Sequence, residues 1–244
     1  MKLGERICLV GSGALGMNLT NEYDCNVYLL DTGDGFVLVD CGSGLESERI
    51  LGEIRRDGID PAGITHIVVT HAHADHAGGA AGLSRSTGAA IVCSPQTAAI
   101  LGSGDEAAIY LPESRRAGLY PEDYRLESCV PTLTVSHLEE MKAGEITLQF
   151  ISAPGHSDDM ICCYVKQWQA LFCSDLVFHG GRIAMLPTPE FSLYRLSQSV
   201  RILAEYAIEG LYPGHLSPVR TGGDQVVRKV NATFESLRIP PNIV

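Results

Sequence analysis

The residues best suited to chemistry in this sequence lie close together, in the stretch from His71 to His76. This stretch reads His-Ala-His-Ala-Asp-His, so three imidazoles and one carboxylate occur within six positions. Imidazole and carboxylate groups are ligands for a divalent cation such as zinc. In extended backbone, side chains two positions apart share a face, so His71 and His73 are predicted to bind one ion. Asp75 and His76 follow where the chain should turn into a helix, and they are predicted to point towards a second ion.

An alternative for this cluster is a polar loop whose histidines form ordinary hydrogen bonds. A single loop histidine would favour that alternative. A dense cluster does not, because burying so much polarity without an ion costs on the order of several kcal/mol. The small Ala72 and Ala74 leave room for an ion, and Gly78 and Gly79 let the backbone pass close to it. We therefore interpret the stretch as a metal-binding loop.

Three further candidate ligands follow short hydrophobic segments, as the metal-binding loop does. His156 and His215 are each preceded by Pro-Gly after an apolar run, and Asp175 ends the segment Ala-Leu-Phe-Cys-Ser-Asp. Loops that follow neighbouring strands converge at one edge of a sheet. The sequence therefore predicts that these side chains complete the metal site.

The motifs THAHADHAGG, APGHS, FCSD and YPGH, in this order and at these separations, resemble those of the metallo-β-lactamase fold superfamily. The resemblance extends from about Tyr28 to His215 and is closest to the glyoxalase II type of dinuclear site. It implies an α/β fold, a four-layer αββα sandwich of two β-sheets flanked by helices. One such domain is expected over residues 1–244.

The resemblance also implies a ligand set. His71, His73 and His156 would bind one ion, Asp75, His76 and His215 the other, and Asp175 would bridge the two. True β-lactamases of this fold usually lack the bridging aspartate, which argues against antibiotic hydrolysis. Asp40 resembles the aspartate of the family's Asp-x-Gly motif, which orients the ligating histidines from behind; the alternative is a simple turn residue.

The predicted cofactors are two divalent metal ions, zinc in the first place and iron or manganese as alternatives. A hydroxide bridging the ions would attack an ester-type bond of a small-molecule substrate, with Asp75 orienting it and moving a proton. Thioesters, lactones and phosphodiesters all remain open as substrates. Two other hypotheses are a mononuclear iron sulfur dioxygenase of the same fold, which is an oxidoreductase, and a non-catalytic regulatory protein that binds metal.

Candidate substrate contacts lie outside the metal-binding motifs. His179 and Arg182 follow the predicted bridging aspartate, and Tyr194 begins a predicted helix over residues 192–207. The irregular segment 102–130 contains tyrosines and arginines that suit an organic substrate with a carboxylate, or it is an ordinary exposed connection.

The composition excludes several classes of function. The net charge of −11 over 244 residues, without a cluster of lysines and arginines, argues against nucleic-acid binding. No apolar run has the length of a membrane span or a signal peptide. The eight cysteines, several of them in apolar runs, are predicted to be buried thiols in a reducing cytoplasm. A homo-oligomer is left open.

The glycine-rich stretch 11–16 matches the G-x-G-x-x-G pattern of dinucleotide-binding proteins. That motif needs a helix connecting two parallel strands. The segment before the next predicted strand is too short for such a helix, so we interpret the stretch as a turn.

Overall fold

The computed structural model describes all residues from Met1 to Val244. The chain divides into two compact units, Met1–Val135 and Ser136–Val244. Each unit contains one β-sheet with both parallel and antiparallel strands, and each has helices of its own. The predicted α/β class with two β-sheets flanked by helices is confirmed. The single domain over residues 1–244 stays a prediction.

The sheet of the first unit has six strands, in the same order in space as along the chain. They are β1 (Ile7–Gly11), β2 (Val27–Asp31), β3 (Phe36–Val39), β4 (Ile64–Val68), β5 (Ala90–Cys93) and β6 (Leu133–Thr134). The first three strands pair antiparallel, and β3 to β6 pair parallel. Val39 pairs with Val68, so β3 and β4 end side by side at one edge of the sheet.

Helices cover this sheet with apolar faces. They are α1 (Ser47–Arg56), α2 (Ala74–Ala77), α3 (Ala80–Thr87), α4 (Pro95–Ser103) and α5 (Leu111–Arg116). In α1, Ile50, Leu51 and Ile54 fall on one face of the helix at helical spacing and are buried. Burial of each such side chain contributes about 2 kcal/mol, which fixes α1 on the sheet.

The sheet of the second unit has five strands: β7 (Glu140–Ala143), β8 (Ile146–Ser152), β9 (Ile161–Val165), β10 (Ala170–Ser174) and β11 (Gly210–Pro213). Strands β7 to β10 pair antiparallel, and β11 pairs parallel to β10. Its helices are α6 (Leu193–Leu203) and α7 (Gly223–Glu235). Strands β8, β10 and β11 all point the same way, so their carboxyl ends meet at one edge.

Some elements differ from the prediction. The irregular segment 102–130 contains the helix α5, in which Pro112 occupies one of the first two positions, where proline is tolerated. The turn into a helix that is predicted at Asp75 and His76 is the short helix α2, and a second helix, α3, follows it. Strands β6 and β7 were missed because their side chains are mostly exposed and give no apolar signal.

The expectations for the glycine-rich stretch and for the cysteines are confirmed. Strands β1 and β2 pair antiparallel, so the glycine-rich stretch between them is a turn and not a dinucleotide-binding motif. All eight cysteines are free thiols, and seven of them are buried. No helix combines the length and the apolar character needed to cross a membrane.

Candidate metal centre

The metal-binding loop of the first unit leaves the end of β4 and brings four donor side chains together: His71, His73, Asp75 and His76. We call these the first donor cluster. His71 and His76 are fully buried, while His73 and Asp75 are half-buried. The ring of His71 lies 4.6 Å from that of His73 and 4.2 Å from that of His76, measured between centroids. The Oδ2 atom of Asp75 lies 3.5 Å from Nε2 of His76.

Hydrogen bonds from outside the loop hold helix α2, which has only four residues and would not persist alone. The carbonyl oxygen of Asp75 accepts a bond from the Cys25 amide at 3.2 Å. The carbonyl oxygen of His76 accepts one from the Cys41 amide at 2.8 Å. The segments beside strands β2 and β3 thereby fix the direction of both donor residues.

Asp40, directly after β3, organises two of these histidines. Its carboxylate accepts bonds from the Thr70 amide at 2.8 Å and the Thr70 hydroxyl at 3.0 Å, and Nδ1 of His76 lies 2.9 Å from its Oδ2. Thr70 Oγ1 in turn lies 3.2 Å from Nδ1 of His71. A carboxylate only accepts, so Nδ1 of His76 carries the proton and the lone pair is on Nε2, the nitrogen that could bind a metal ion. The contact expected of Asp40 is present, and its functional role stays a prediction.

Two adjacent glycines allow the loop to pack closely. A Cβ atom at Gly78 would lie 2.1 Å from the carbonyl oxygen of Ser43, and one at Gly79 would lie 2.1 Å from that of Cys41. Contacts this short are not tolerated, so the close approach predicted for these positions requires glycine at both.

The second unit forms a second donor cluster from His156, Asp175 and His215, which follow β8, β10 and β11. All three are buried. The Nε2 atoms of His156 and His215 lie 3.5 Å and 3.3 Å from the same Oδ2 atom of Asp175. One carboxylate oxygen is thus shared by two imidazoles that come from different strands.

The backbone before His156 also requires glycine. Gly155 has φ of 140°, and a Cβ atom there would lie 2.2 Å from the amide nitrogen of Leu196 in α6. The glycine that precedes this histidine in the sequence is therefore required by the packing of a loop against a helix.

The donors of both clusters fit divalent metal. Imidazole nitrogens and carboxylate oxygens, buried or half-buried and facing one another within one loop or one sheet edge, are the ligand set that zinc and similar ions prefer. Ligand atoms of Cys25, Asp40 and His76 also lie within 4.8 Å of one another. Burial raises the pKa of the Cys25 thiol, which keeps it protonated, and a thiol is a poor ligand compared with a thiolate.

The predicted substrate contacts all lie in the second unit. His179 and Arg182 are exposed at a tight turn in which Phe178 bridges to Arg182. Tyr194 is 73% exposed in the first turn of α6. Their roles stay predictions.

The sequence analysis missed two buried residues that bind Ser43, whose carbonyl oxygen packs closely against Gly78 of the metal-binding loop. Asp24 accepts hydrogen bonds from the amide and the hydroxyl of Ser43 at 2.8 Å and 2.7 Å. The Tyr124 hydroxyl donates to the Ser43 carbonyl oxygen at 2.6 Å. Both contacts join distant parts of the chain, so no local pattern signals them.

A family model described as "Metallo-beta-lactamase superfamily" matches residues 20–215 of the chain. The chain belongs to this superfamily. The matched span contains both donor clusters, and the resemblance inferred from the motifs is confirmed.

Relatives within the superfamily carry names of thioesterases and of lactamase-like proteins. "Acyl-coenzyme A thioesterase MBLAC2" of Bos taurus is 29% identical over 206 residues, covering 79% of this chain and 73% of the relative. "Lactamase-like protein nscB" of Neosartorya fischeri is 29% identical over 194 residues, covering 78% and 47%. "Thioesterase pkgB" of Emericella nidulans is 25% identical over 191 residues, covering 78% and 45%.

Solved structures of the superfamily share the fold. The subclass B3 metallo-beta-lactamase BJP-1 of Bradyrhizobium japonicum has a TM-score of 0.73 at 21% identity, covering 97% of this chain and 91% of that one. A metallo-beta-lactamase family protein of Thermus thermophilus also has a TM-score of 0.73, at 20% identity, covering 96% and 81%. This likeness confirms the predicted metallo-β-lactamase fold and carries no conclusion about substrate.

Proposed function

We propose that this chain is a metal-dependent thioesterase that hydrolyses the thioester of an acyl carrier such as an acyl-coenzyme A. The coarser description, a metal-dependent hydrolase of ester-type bonds with a small-molecule substrate, is the one predicted from the sequence. The thioester is a narrower choice among the ester-type bonds. It is supported by the names of the bovine relative and of a fungal relative, which are called thioesterases.

The proposed metal site joins the two donor clusters in one dinuclear centre. His71, His73 and His156 would hold one ion, Asp75, His76 and His215 the second, and Asp175 both. The observation that carries the proposal is the Asp175 carboxylate, whose Oδ2 atom faces two imidazoles at 3.5 Å and 3.3 Å. Membership of the superfamily implies divalent metal; the number of two and the choice of zinc belong to this proposal.

Two bound ions would supply Lewis acidity, which would polarise the substrate carbonyl and activate water near neutral pH. The residues of the chain then transfer a proton and hold a metal ligand in its orientation. Asp75, the half-buried carboxylate of the first donor cluster, accepts the proton of the attacking water and returns it to the leaving sulfur. Asp40 keeps the His76 ring in place throughout, through its contact with Nδ1.

The reaction has a simple balance. Water adds to the thioester carbonyl and the carbon–sulfur bond breaks; the products are a carboxylate, a thiol that carries one proton of the water, and a second proton released to solvent. No nucleophilic side chain or redox partner is needed.

The test is a substrate panel with zinc-loaded protein, comparing acyl-coenzyme A, a lactone, a phosphodiester and a β-lactam. We expect the highest kcat/KM for the thioester. Faster hydrolysis of the β-lactam or the phosphodiester, with the thioester at background, would refute the proposal. Oxygen uptake by iron-loaded protein would favour the sulfur dioxygenase instead.

Several finer expectations stay predictions within this proposal. They are a cytoplasmic location and contacts of His179, Arg182 and Tyr194 with substrate, while a homo-oligomer is left open. The location is tested by cell fractionation and the oligomer by light scattering.

A further inference from the structure

The side chain of Tyr124, in the segment that follows α5, reaches the metal-binding loop. Its hydroxyl lies 2.6 Å from the carbonyl oxygen of Ser43 and 3.4 Å from that of Ala74. Ala74 stands between the candidate ligands His73 and Asp75. The hydroxyl has one proton, so it donates chiefly to Ser43, and Ala74 accepts the longer arm of a bifurcated bond.

The loop is shaped around this hydroxyl. A Cβ atom at Gly78 would lie 2.3 Å from the Tyr124 Oη atom and 2.6 Å from the carbonyl oxygen of Ala74. Only glycine at this position leaves room for the hydroxyl between the two carbonyl groups. Burial raises the pKa of Tyr124, which keeps the phenol protonated and able to donate.

The segment that carries Tyr124 is itself fixed. Arg115 Nη1 donates to the Tyr124 carbonyl oxygen at 2.7 Å, and Arg115 forms an ion pair with Glu106 at 2.8 Å. Glu106 also accepts a bond from the Leu126 amide at 3.0 Å. The ring of Tyr120 stacks on that of Tyr124, with centroids 5.1 Å apart and planes inclined by 17°.

Other supports of the loop act at different atoms. Asp40 and Thr70 hold the rings of His71 and His76, and the Cys25 and Cys41 amides hold the carbonyl groups of Asp75 and His76. The carbonyl group of Ala74 accepts a bond within the loop, from the Gly78 amide at 2.9 Å. Tyr124 contributes a side-chain contact at the point between His73 and Asp75.

We propose that Tyr124 is a positioning residue that holds the backbone between His73 and Asp75 in the geometry needed to bind metal. The proposal rests on the metal site described under the proposed function. It assigns to the segment 102–130 a role in building the metal site, through a hydroxyl that binds two backbone carbonyl groups.

The test compares Tyr124→Phe with Tyr164→Phe. Tyr164 is a matched control, because its hydroxyl donates to the Ala207 carbonyl oxygen at 2.7 Å and its ring packs against Tyr206 at 5.1 Å. Zinc dissociation constants are measured by competition with a chromophoric chelator, and the metal-free proteins are unfolded in urea. We expect Tyr124→Phe to weaken zinc binding by roughly 10-fold and Tyr164→Phe by less than about twofold. The urea midpoints of the two metal-free variants should change by similar amounts.

Hydrogen exchange of metal-free protein gives a second readout. Tyr124→Phe should speed exchange in a peptide covering residues 71–79, and Tyr164→Phe should not. If Tyr124→Phe does not fold, Arg115→Lys loosens the same segment and should weaken zinc binding in the same direction.

The proposal would be overturned if Tyr124→Phe bound zinc within twofold of the unmodified protein, or if Tyr164→Phe lost as much affinity. If Arg115→Lys is used in place of Tyr124→Phe, an unchanged zinc affinity of that variant would overturn it as well. Unmodified protein that binds zinc but hydrolyses no thioester would refute the thioesterase alone, because the affinity comparison does not depend on turnover.

Discussion

At the scale of single residues, two buried carboxylates organise the imidazoles of this chain. Asp40 contacts His76 directly and His71 through the Thr70 hydroxyl. Asp175 shares one oxygen between His156 and His215. The two carboxylates face different ring nitrogens: Asp40 faces Nδ1 of His76, whereas Asp175 faces Nε2 of both His156 and His215.

Asp175→Ala should remove the proposed bridging ligand, and we expect turnover to fall about 1000-fold or more together with loss of bound metal. Metal analysis and steady-state kinetics measure both effects. Asp158→Ala is the control, since Asp158 is an exposed carboxylate paired with Arg195. A metal-depleted Asp175→Ala that keeps full turnover would contradict the assignment.

Asp40→Asn should weaken metal binding by roughly 10–100-fold, because the amide no longer attracts the proton on His76 Nδ1 as a carboxylate does. Competition with a chelator measures the affinity. The control is Asp60→Asn, whose exposed side chain accepts a bond from the Ala62 amide at 3.0 Å. Equal affinities in the two variants would show that Asp40 is only a turn residue.

At the scale of elements, short pieces of structure depend on their neighbours for shape. Helix α2 is held by the segments beside strands β2 and β3 and by the segment that contains Tyr124. The segment 102–130 is in turn held by an ion pair between Arg115 and Glu106. Both features can be tested by substitutions with a matched control on a nearby element.

Gly78→Ala should destabilise the metal-free protein by about 1–3 kcal/mol, because the added methyl group would lie 2.1 Å from the Ser43 carbonyl oxygen. Gly52→Ala, in α1, has no atom within 4 Å of the added group and should stabilise the protein by about 0.5–1 kcal/mol. Urea unfolding measures both. Destabilisation of equal size in the two variants would rule out the close approach at Gly78.

The free energy of unfolding should fall less in acid for Glu106→Gln than for the unmodified protein. The hydrogen bond from Arg115 holds the pKa of Glu106 below its ordinary value. The stabilisation is therefore present above the pKa of the unfolded chain and is lost as pH falls through the lower pKa of the folded state. We expect a contribution of about 1 kcal/mol at neutral pH, measured by urea unfolding between pH 3 and 7, roughly the range in which carboxyl groups titrate.

The control for that experiment is Glu113→Gln. Glu113 pairs with Arg116 at 2.7 Å, but these side chains are 55% and 71% exposed, against 19% and 15% for Glu106 and Arg115. An exposed pair contributes little, so the pH profile should not change. A change as large as that of Glu106→Gln would contradict the argument from burial.

At the scale of the whole molecule, binding of metal to the native state should stabilise the chain, because the ligands come from segments far apart in sequence. At zinc concentrations about 100-fold above the Kd, the gain is roughly 2.7 kcal/mol, which corresponds to about 5–10 °C in Tm for a chain of this size. Calorimetry with chelator and with added zinc measures the shift. Equal Tm values under the two conditions would show that the native state binds no zinc.

Much of this architecture was predictable from local pattern. The apolar runs before His71, His156, Asp175 and His215 are strands, as their composition indicated. Strands β6 and β7 and helix α5 escaped prediction, because their side chains are largely exposed or irregular in pattern and the packing of neighbouring elements decides their conformation.

The sequence by itself determined the donor types, the strands that precede them and the family, because dense ligand spacing and apolar periodicity are local properties of a chain. Only the tertiary structure decided which atoms meet: Oδ2 of Asp40 lies beside Nδ1 of His76, one oxygen of Asp175 faces two histidines, and the Tyr124 hydroxyl reaches the Ser43 carbonyl oxygen. These contacts join residues as far as 81 positions apart. They exist because strand pairing and helix packing bring those residues together, and no local sequence pattern encodes such a pairing.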